Sequence, residues 1–323
     1  MSMYEMIKSS AGQFAFEPEI KNIDKLKKFS KYIIVGMGGS HLAGDLLKLI
    51  DPNIDVIIHR SYGLPLLPKE EMENRLIILS SYSGNTEEVL EAQTEAEKLG
   101  LSQVVIAVGG KLLAIAKEKE IPYIQMPDLQ IQPRLALTLN LKSLLKIIGN
   151  ETALSEMTKL KDTFMPEKIE DKGKDLAQKI INFVPVIYAS EKNKALAYNW
   201  KIKFNETGKI PAFYNVLPEL NHNEMTGFDV KDTTKKLSEN FCFIFLNDDQ
   251  DHPKIIQRMN IIQKLYKDRN LQTYEIPVIG ENIFHKIFNT LTIADFAAYF
   301  TAENYGLESE QVPMVEEFKK LIE

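Results

Sequence analysis

One cysteine in 323 residues rules out an intrachain disulfide, and with it the small stapled folds that depend on such bridges. That residue, Cys242, lies in the apolar run "NFCFIFLND", where core filling is expected rather than nucleophilic chemistry. A reducing cytoplasm is the expected compartment. The first twenty residues mix charges with scattered apolar positions, so neither a signal peptide nor a membrane span is expected. Lysine and arginine number 39 against 45 acidic residues, a formal net charge of -6. No basic cluster interleaved with aromatics is present, which argues against nucleic acid as a partner. Any anion bound here must be held locally. The chain also lacks a G-x-x-x-x-G-K-[ST] loop, an H-E-x-x-H pair and any C-x-x-C, which removes the usual signatures of a P-loop, a zincin and a zinc deaminase. No metal and no cofactor are expected.

Hydrophobic residues make up 44%, enough for a large core and two domains, expected at 1–150 and 151–323. Apolar runs of four to seven residues alternate with helical patterns: "YIIV", "IDVIIHR", "RLIILSS", "QVVIAVGG" and "IPYIQMP" in the first half, then "VPVIYAS", "FCFIFL" and "LQTYEIP" in the second. Such alternation predicts parallel sheets covered on both faces, an α/β fold of two αβα sandwich domains. The lysine-rich segment from about 151 to 182 reads as the connection between them. A long helix is expected through "NIFHKIFNTLTIADFAAYFTAENYG". The shared strand and helix grammar of the two halves points to a duplicated domain.

Two polar turns stand where ligands bind in such sheets, beyond strand ends and before helices. In "GMGGS", Gly38 and Gly39 permit close backbone approach and Ser40 offers a hydroxyl. In "SYSGNT", Ser81, Ser83 and Thr86 precede a helix, with Gly84 and Asn85 free to form a tight turn. A phosphate is the anion that this arrangement suits. The alternatives are that Ser83 or Asn85 merely caps the helix, or that the first turn is a dinucleotide fingerprint. The second alternative fails on two counts: His41 stands where the third glycine is needed, and "VIIHR" does not end in an acidic residue.

Taken in order, "GMGGSHLAGDL", "SSYSGNT", "QPRLAL", "FNETGKIPA" and "PELNHNEMTGF" resemble the bifunctional phosphoglucose/phosphomannose isomerases of the sugar isomerase (SIS) superfamily. The resemblance runs from about Tyr32 to the C-terminus. It implies two flavodoxin-like SIS domains and interconversion of glucose 6-phosphate and mannose 6-phosphate with fructose 6-phosphate. That chemistry needs a phosphate clamp, a ring-opening group, a base moving a proton between C1 and C2, and stabilisation of an enediolate. By resemblance, Gly38, Gly39, Ser40, Ser81, Ser83 and Thr86 hold the phosphate, Glu206 is the base, His222 opens the ring, and Arg134 stabilises the enediolate. In this superfamily the histidine comes from the neighbouring subunit, so a homodimer with a shared site is implied.

Each of these residues also has a plain structural alternative. Glu206 could pair with Lys203 or Lys209, Arg134 with Asp128, and His222 could be structural; His41, His59, His252 and His285 have less polar company in the sequence. The chain departs from its relatives in one respect. The C-terminal helix carries Tyr299 and Phe300 where a lysine is expected, and the nearest lysine, Lys286, is far upstream. A threonine of this segment bears on mannose phosphate use, with Thr290 and Thr292 both available. Two other functions compete: a non-catalytic phosphosugar-sensing SIS protein, which would lack Glu206 or His222, and the isomerase half of a glucosamine 6-phosphate synthase, which needs an N-terminal cysteine where this chain reads Met1, Ser2, Met3.

Overall fold

A computed structural model describes residues 1–322. The chain forms two compact units, Ser10–Phe164 and Met1–Ser9 joined with Met165–Glu323. Helix α1 (Met3–Lys8) opens the chain with a capping box between Ser2 and Glu5. In the unit Ser10–Phe164 the aliphatic runs become β1 (Lys31–Val35), β2 (Asp55–His59), β3 (Leu76–Ser80), β4 (Gln103–Ala107) and β5 (Tyr123–Gln125). They alternate with α2 (Gly39–Ile50), α3 (Lys69–Glu73), α4 (Glu87–Lys98) and α5 (Gly110–Glu118), followed by α6 (Leu137–Ile147) and α7 (Glu151–Thr163). All pairings are parallel in the order β2-β1-β3-β4-β5. Ile33, Ile77, Leu79 and Val105 are buried among Val89, Ala92, Leu112 and Leu113 on one face, and Ile34, Ile78, Val104 and Ile106 are buried on the other, which explains why these strands are apolar on successive residues instead of alternating.

The remaining unit holds α8 (Glu170–Lys179), β6 (Val184–Ser190), α9 (Lys194–Glu206), β7 (Phe213–Leu217), α10 (Glu224–Gly227), α11 (Lys235–Ser238), β8 (Phe241–Asn247), α12 (Pro253–Lys267), β9 (Gln272–Pro277), α13 (Ile283–Asn304) and α14 (Pro313–Ile322). Its sheet is again parallel, in the order β7-β6-β8-β9. That order repeats β2-β1-β3-β4 of the first sheet without a fifth strand, in keeping with duplication. Strand β7 is the one the sequence pattern does not mark. It is an edge strand with an exposed Phe213 and an asparagine at its centre, so no apolar run announces it. Cys242 is fully buried within β8, and burial pushes its thiol pKa up to about 12, as expected of an inert core residue.

The units do not divide at the expected 150/151. Helix α7 belongs with the first: the Phe14 and Phe164 rings meet edge to face at 5.6 Å, and buried Lys142 on α6 donates to Phe14 O at 2.5 Å and to Thr158 Oγ1 at 2.9 Å. Burial lowers the Lys142 pKa to about 8. Helix α1 belongs with the second, because Tyr4 sits 5.6 Å from the Tyr299 ring and 6.4 Å from the rings of Phe296 and Phe300 on α13. Each docking buries apolar surface, worth about 25 cal/mol per Å², which a boundary drawn from composition cannot register. Helix α13 is 22 residues long and apolar on nearly every face, as a helix inside a large core must be. Among the described residues, no helix is long and apolar enough to cross a membrane, and no group of three or more His, Cys, Asp or Glu could hold a metal ion.

Candidate active site

In the first sheet the strand order reverses between β1 and β3, and Val35 lies in register with Leu79. The turns that follow these two strands are Gly36–Ser40 and Ser81–Thr86, so both expected phosphate loops meet at the topological switch point, where α2 and α4 begin. Side chains tie them together. Ser40 Oγ accepts from Tyr82 N at 2.9 Å, while Ser80 Oγ donates to Ser40 O at 3.1 Å. Asn140, projecting from α6, donates from Nδ2 to Ser40 O at 2.7 Å and to Ser80 Oγ at 3.1 Å. Ser80 and Asn140 were not legible as site residues, since each looks like an ordinary polar residue beside an apolar run.

The second turn is built for its hydroxyls. Ser81 Oγ lies 2.8 Å from Thr86 Oγ1 and accepts from Gly84 N at 3.0 Å. Ser83 Oγ accepts from Asn85 N at 3.2 Å, at an exposed position. Thr86 is the N-cap of α4 and makes no side-chain capping bond, so neither Ser83 nor Asn85 is the cap residue. Asn85 instead accepts from Lys111 N at 3.0 Å and pins the turn to the start of α5. Because Ser40 and Ser83 accept from main-chain N–H groups, their own hydroxyl protons point elsewhere and can be donated to an anion.

Close packing fixes both turns. A Cβ on Gly84, whose φ is +71°, would stand 1.9 Å from Gly109 O. Replacing Gly84 with alanine is expected to destabilise the protein by about 2 kcal/mol or more, through the left-handed backbone and the clash with main-chain atoms. Thermal denaturation reads this directly, and an unchanged midpoint would contradict the packing. A Cβ on Gly39 would meet Pro133 C at 2.6 Å and Arg134 N at 2.8 Å. That contact brings Arg134 to the phosphate loops. Arg134 sits in the 3₁₀ turn Pro133–Leu135 and is 3% exposed, with Nη1 donating to Gln132 Oε1 at 3.3 Å. A surface pair with Asp128 is therefore not its setting.

Glu206 and His222 lie in the other unit. Glu206 is the last residue of α9, half-buried. Buried Lys203 is paired with Asp295, and Lys209 Nζ donates to the Glu206 main-chain oxygen at 2.6 Å. His222 ends the 3₁₀ turn Glu219–His222 and is exposed, with no hydrogen bond to it among the described residues. His41, by contrast, has the polar company that its sequence context hides: it is buried, with Nδ1 2.8 Å from Asp45 Oδ2, and Asp45 also meets Arg60.

The equivalent switch point of the second sheet, beyond β6 and β8, is filled by protein. Asp248 accepts from Lys192 at 2.8 Å, from Lys286 at 2.9 Å and from Asn193 at 3.2 Å. Burial raises its carboxyl pKa, but the hydrogen bonds from Lys192 and Lys286 outweigh that and hold it at about 2. A carboxylate thus occupies the place where the first sheet presents hydroxyls. It accounts for Lys286, whose amine serves this cluster. On α13, Thr290 is fully buried and donates to Lys286 O at 2.7 Å, and Thr292 is 5% exposed.

Two parallel sheets, with hydroxyl-lined turns at the switch point of the first and helix N-termini behind them, define a protein of two SIS-type domains. The fold matches that of a glucosamine-6-phosphate deaminase from Thermotoga maritima at a TM-score of 0.66 and 16% identity, over 96% of this chain and 97% of that one. The model of the bacterial phospho-glucose isomerase C-terminal SIS domain matches residues 169–322. The chain is 32% identical over 338 residues to the bifunctional phosphoglucose/phosphomannose isomerase of Caldicellulosiruptor bescii, covering 98% of each. With the enzyme of the same name from Aquifex aeolicus it shares 29% over 327 residues, 98% of this chain and 97% of the relative. The chain belongs to the bifunctional phosphoglucose/phosphomannose isomerase family.

Proposed function

We propose that this protein is a sugar-phosphate isomerase that interconverts glucose 6-phosphate, and mannose 6-phosphate, with fructose 6-phosphate. What carries the assignment is the pair of hydroxyl-bearing turns held at one switch point beside buried Arg134, in a chain matched end to end by relatives named for that activity. Gly38, Gly39, Ser40, Ser81, Ser83 and Thr86 take the phosphate, whose remote binding energy positions the reacting carbons. His222 moves protons between the ring oxygen and the O1 hydroxyl to open the pyranose, a task suited to imidazole near neutral pH. Glu206 then carries the proton between C1 and C2. Arg134 stabilises the negative charge of the cis-enediolate, since guanidinium keeps its charge at any relevant pH.

A coupled spectrophotometric assay of the pure protein with each of the three sugar phosphates tests the assignment, and absence of turnover with all of them overturns it. A non-catalytic phosphosugar sensor is disfavoured because Glu206 and His222 are both present. Replacement of Ser83 by alanine is expected to raise the dissociation constant of fructose 6-phosphate about 10-fold, because one hydrogen bond to a charged group is lost. Titration calorimetry measures it. Exposed His222 suits a side chain that completes the site of a second copy, so the active form is a homodimer, and the single cysteine suits a reducing cytoplasm; sedimentation at assay concentrations that gives only a monomer, with activity intact, would remove the dimer.

A further inference from the structure

His222 sits in a segment whose other polar side chains are all engaged. Arg258 Nη1 donates to Asn221 Oδ1 at 3.2 Å. Asn223 Nδ2 donates to Glu219 Oε1 at 2.8 Å, and Asn223 Oδ1 accepts from Glu224 N at 2.6 Å. The strongest anchor is Glu224. Its Oε1 accepts from Tyr188 Oη at 2.5 Å, and its Oε2 accepts from Asn215 Nδ2 at 2.5 Å. Tyr188 lies on β6 and is fully buried, with its ring 5.4 Å from those of Phe243 and Phe245 and its hydroxyl 3.3 Å from that of Tyr266. Asn215 lies on β7, where its Oδ1 accepts from Val216 N at 2.8 Å, so its amide cannot be turned over without losing that bond. One carboxylate thus clamps the histidine's segment to two strands.

We propose that Glu224, held by Tyr188 and Asn215, is a positioning residue for His222, fixing the direction in which the imidazole is presented to the sugar. The proposal rests on the assignment of ring opening to His222. Each carboxylate oxygen of Glu224 accepts a bond from inside the protein, one from each strand, which holds the carboxylate in place. The burial of the tyrosine hydroxyls acts in the same direction: desolvation raises the pKa of Tyr188 and of Tyr266 well above the ordinary phenol range, so both remain donors at every pH at which the protein is folded. Two short charge-assisted bonds give the segment a single geometry, and displacement of a catalytic group by about 1 Å costs on the order of 10²-fold in rate.

Tyr188→Phe removes one donor and keeps the ring. Glu224→Gln leaves one acceptor oxygen for the two donors and removes the charge: with that oxygen on Tyr188, the amide nitrogen meets Asn215 Nδ2 donor against donor, and turned over it keeps Asn215 but loses the acceptor for the Tyr188 hydroxyl. Each variant is expected to lower kcat about 10-fold with KM within about twofold, because the phosphate loops lie in the other unit. The decisive measurement is the same pair of substitutions made in a His222→Ala background, where neither is expected to lower turnover further. Losses that multiply with that of His222→Ala overturn the proposal, as does full turnover of both single variants when His222→Ala is impaired. Full turnover of His222→Ala itself overturns the ring-opening assignment and the proposal with it. Should Glu224→Gln fail to fold by circular dichroism, Tyr188→Phe carries the test.

Discussion

Glu206→Gln is expected to lower turnover by on the order of 10³-fold while KM changes by no more than about threefold. The substitution keeps the shape of the side chain and its place at the end of α9, and removes only the capacity to accept a proton from carbon. General-base catalysis contributes about 10² to 10⁴ in rate, and an amide cannot supply it. Substrate binding should persist, because the hydroxyls of Ser40, Ser81, Ser83 and Thr86 belong to the other unit and depend on their own network with Ser80, Asn140 and Gly84. Steady-state kinetics in both directions measure the effect, and solvent deuterium incorporation at C1 or C2 of recovered substrate should be lost in parallel. A variant that keeps turnover within a few-fold of the parent would show that the carbon-bound proton moves to another group.

Arg134→Ala should lower kcat/KM by on the order of 10²-fold or more, with most of the loss in kcat. A fixed guanidinium aimed at developing oxyanion charge acts more strongly in the transition state than in the bound sugar, and it does so most effectively where water is excluded. The 3% exposure of Arg134 and the contact of its backbone with Gly39 meet that condition. Removing so buried a side chain will also cost some stability, so the thermal midpoint should be read alongside the kinetics. Arg134→Lys separates the two effects: it refills part of the space and restores charge without the planar fork, and is expected to recover only part of the rate. Equal loss of phosphate binding and turnover in both variants would reassign Arg134 to the phosphate clamp.

Most of the architecture was legible because parallel strands buried on both faces leave uninterrupted aliphatic runs, and β1, β3, β4, β6 and β8 each have one. Strand β7 was not legible, since an edge strand with Asn215 at its centre carries no such run and is fixed by pairing with β6. The division of the chain was misplaced for a related reason. Helices α1 and α7 are short amphipathic segments, and which core accepts them depends on rings far away in sequence, Phe296, Tyr299 and Phe300 for one, Phe14 for the other. The phosphate turns announced themselves by small and hydroxylated residues. Their supports did not: Asn140 reaches Ser40 across 100 positions.

By itself the sequence determined the layered α/β class, the two hydroxyl-bearing turns and the residue types able to do isomerase chemistry, because these depend on local hydrophobic pattern and on which side chains bear which groups. Only the tertiary structure decided that the two turns share one switch point, that Gly39 seats Arg134 against them, that Asp248 closes the matching place in the second sheet, and that Glu224 clamps the segment bearing His222. Those outcomes come from strand order and close packing, which join residues tens of positions apart and leave no mark on the local pattern of either partner.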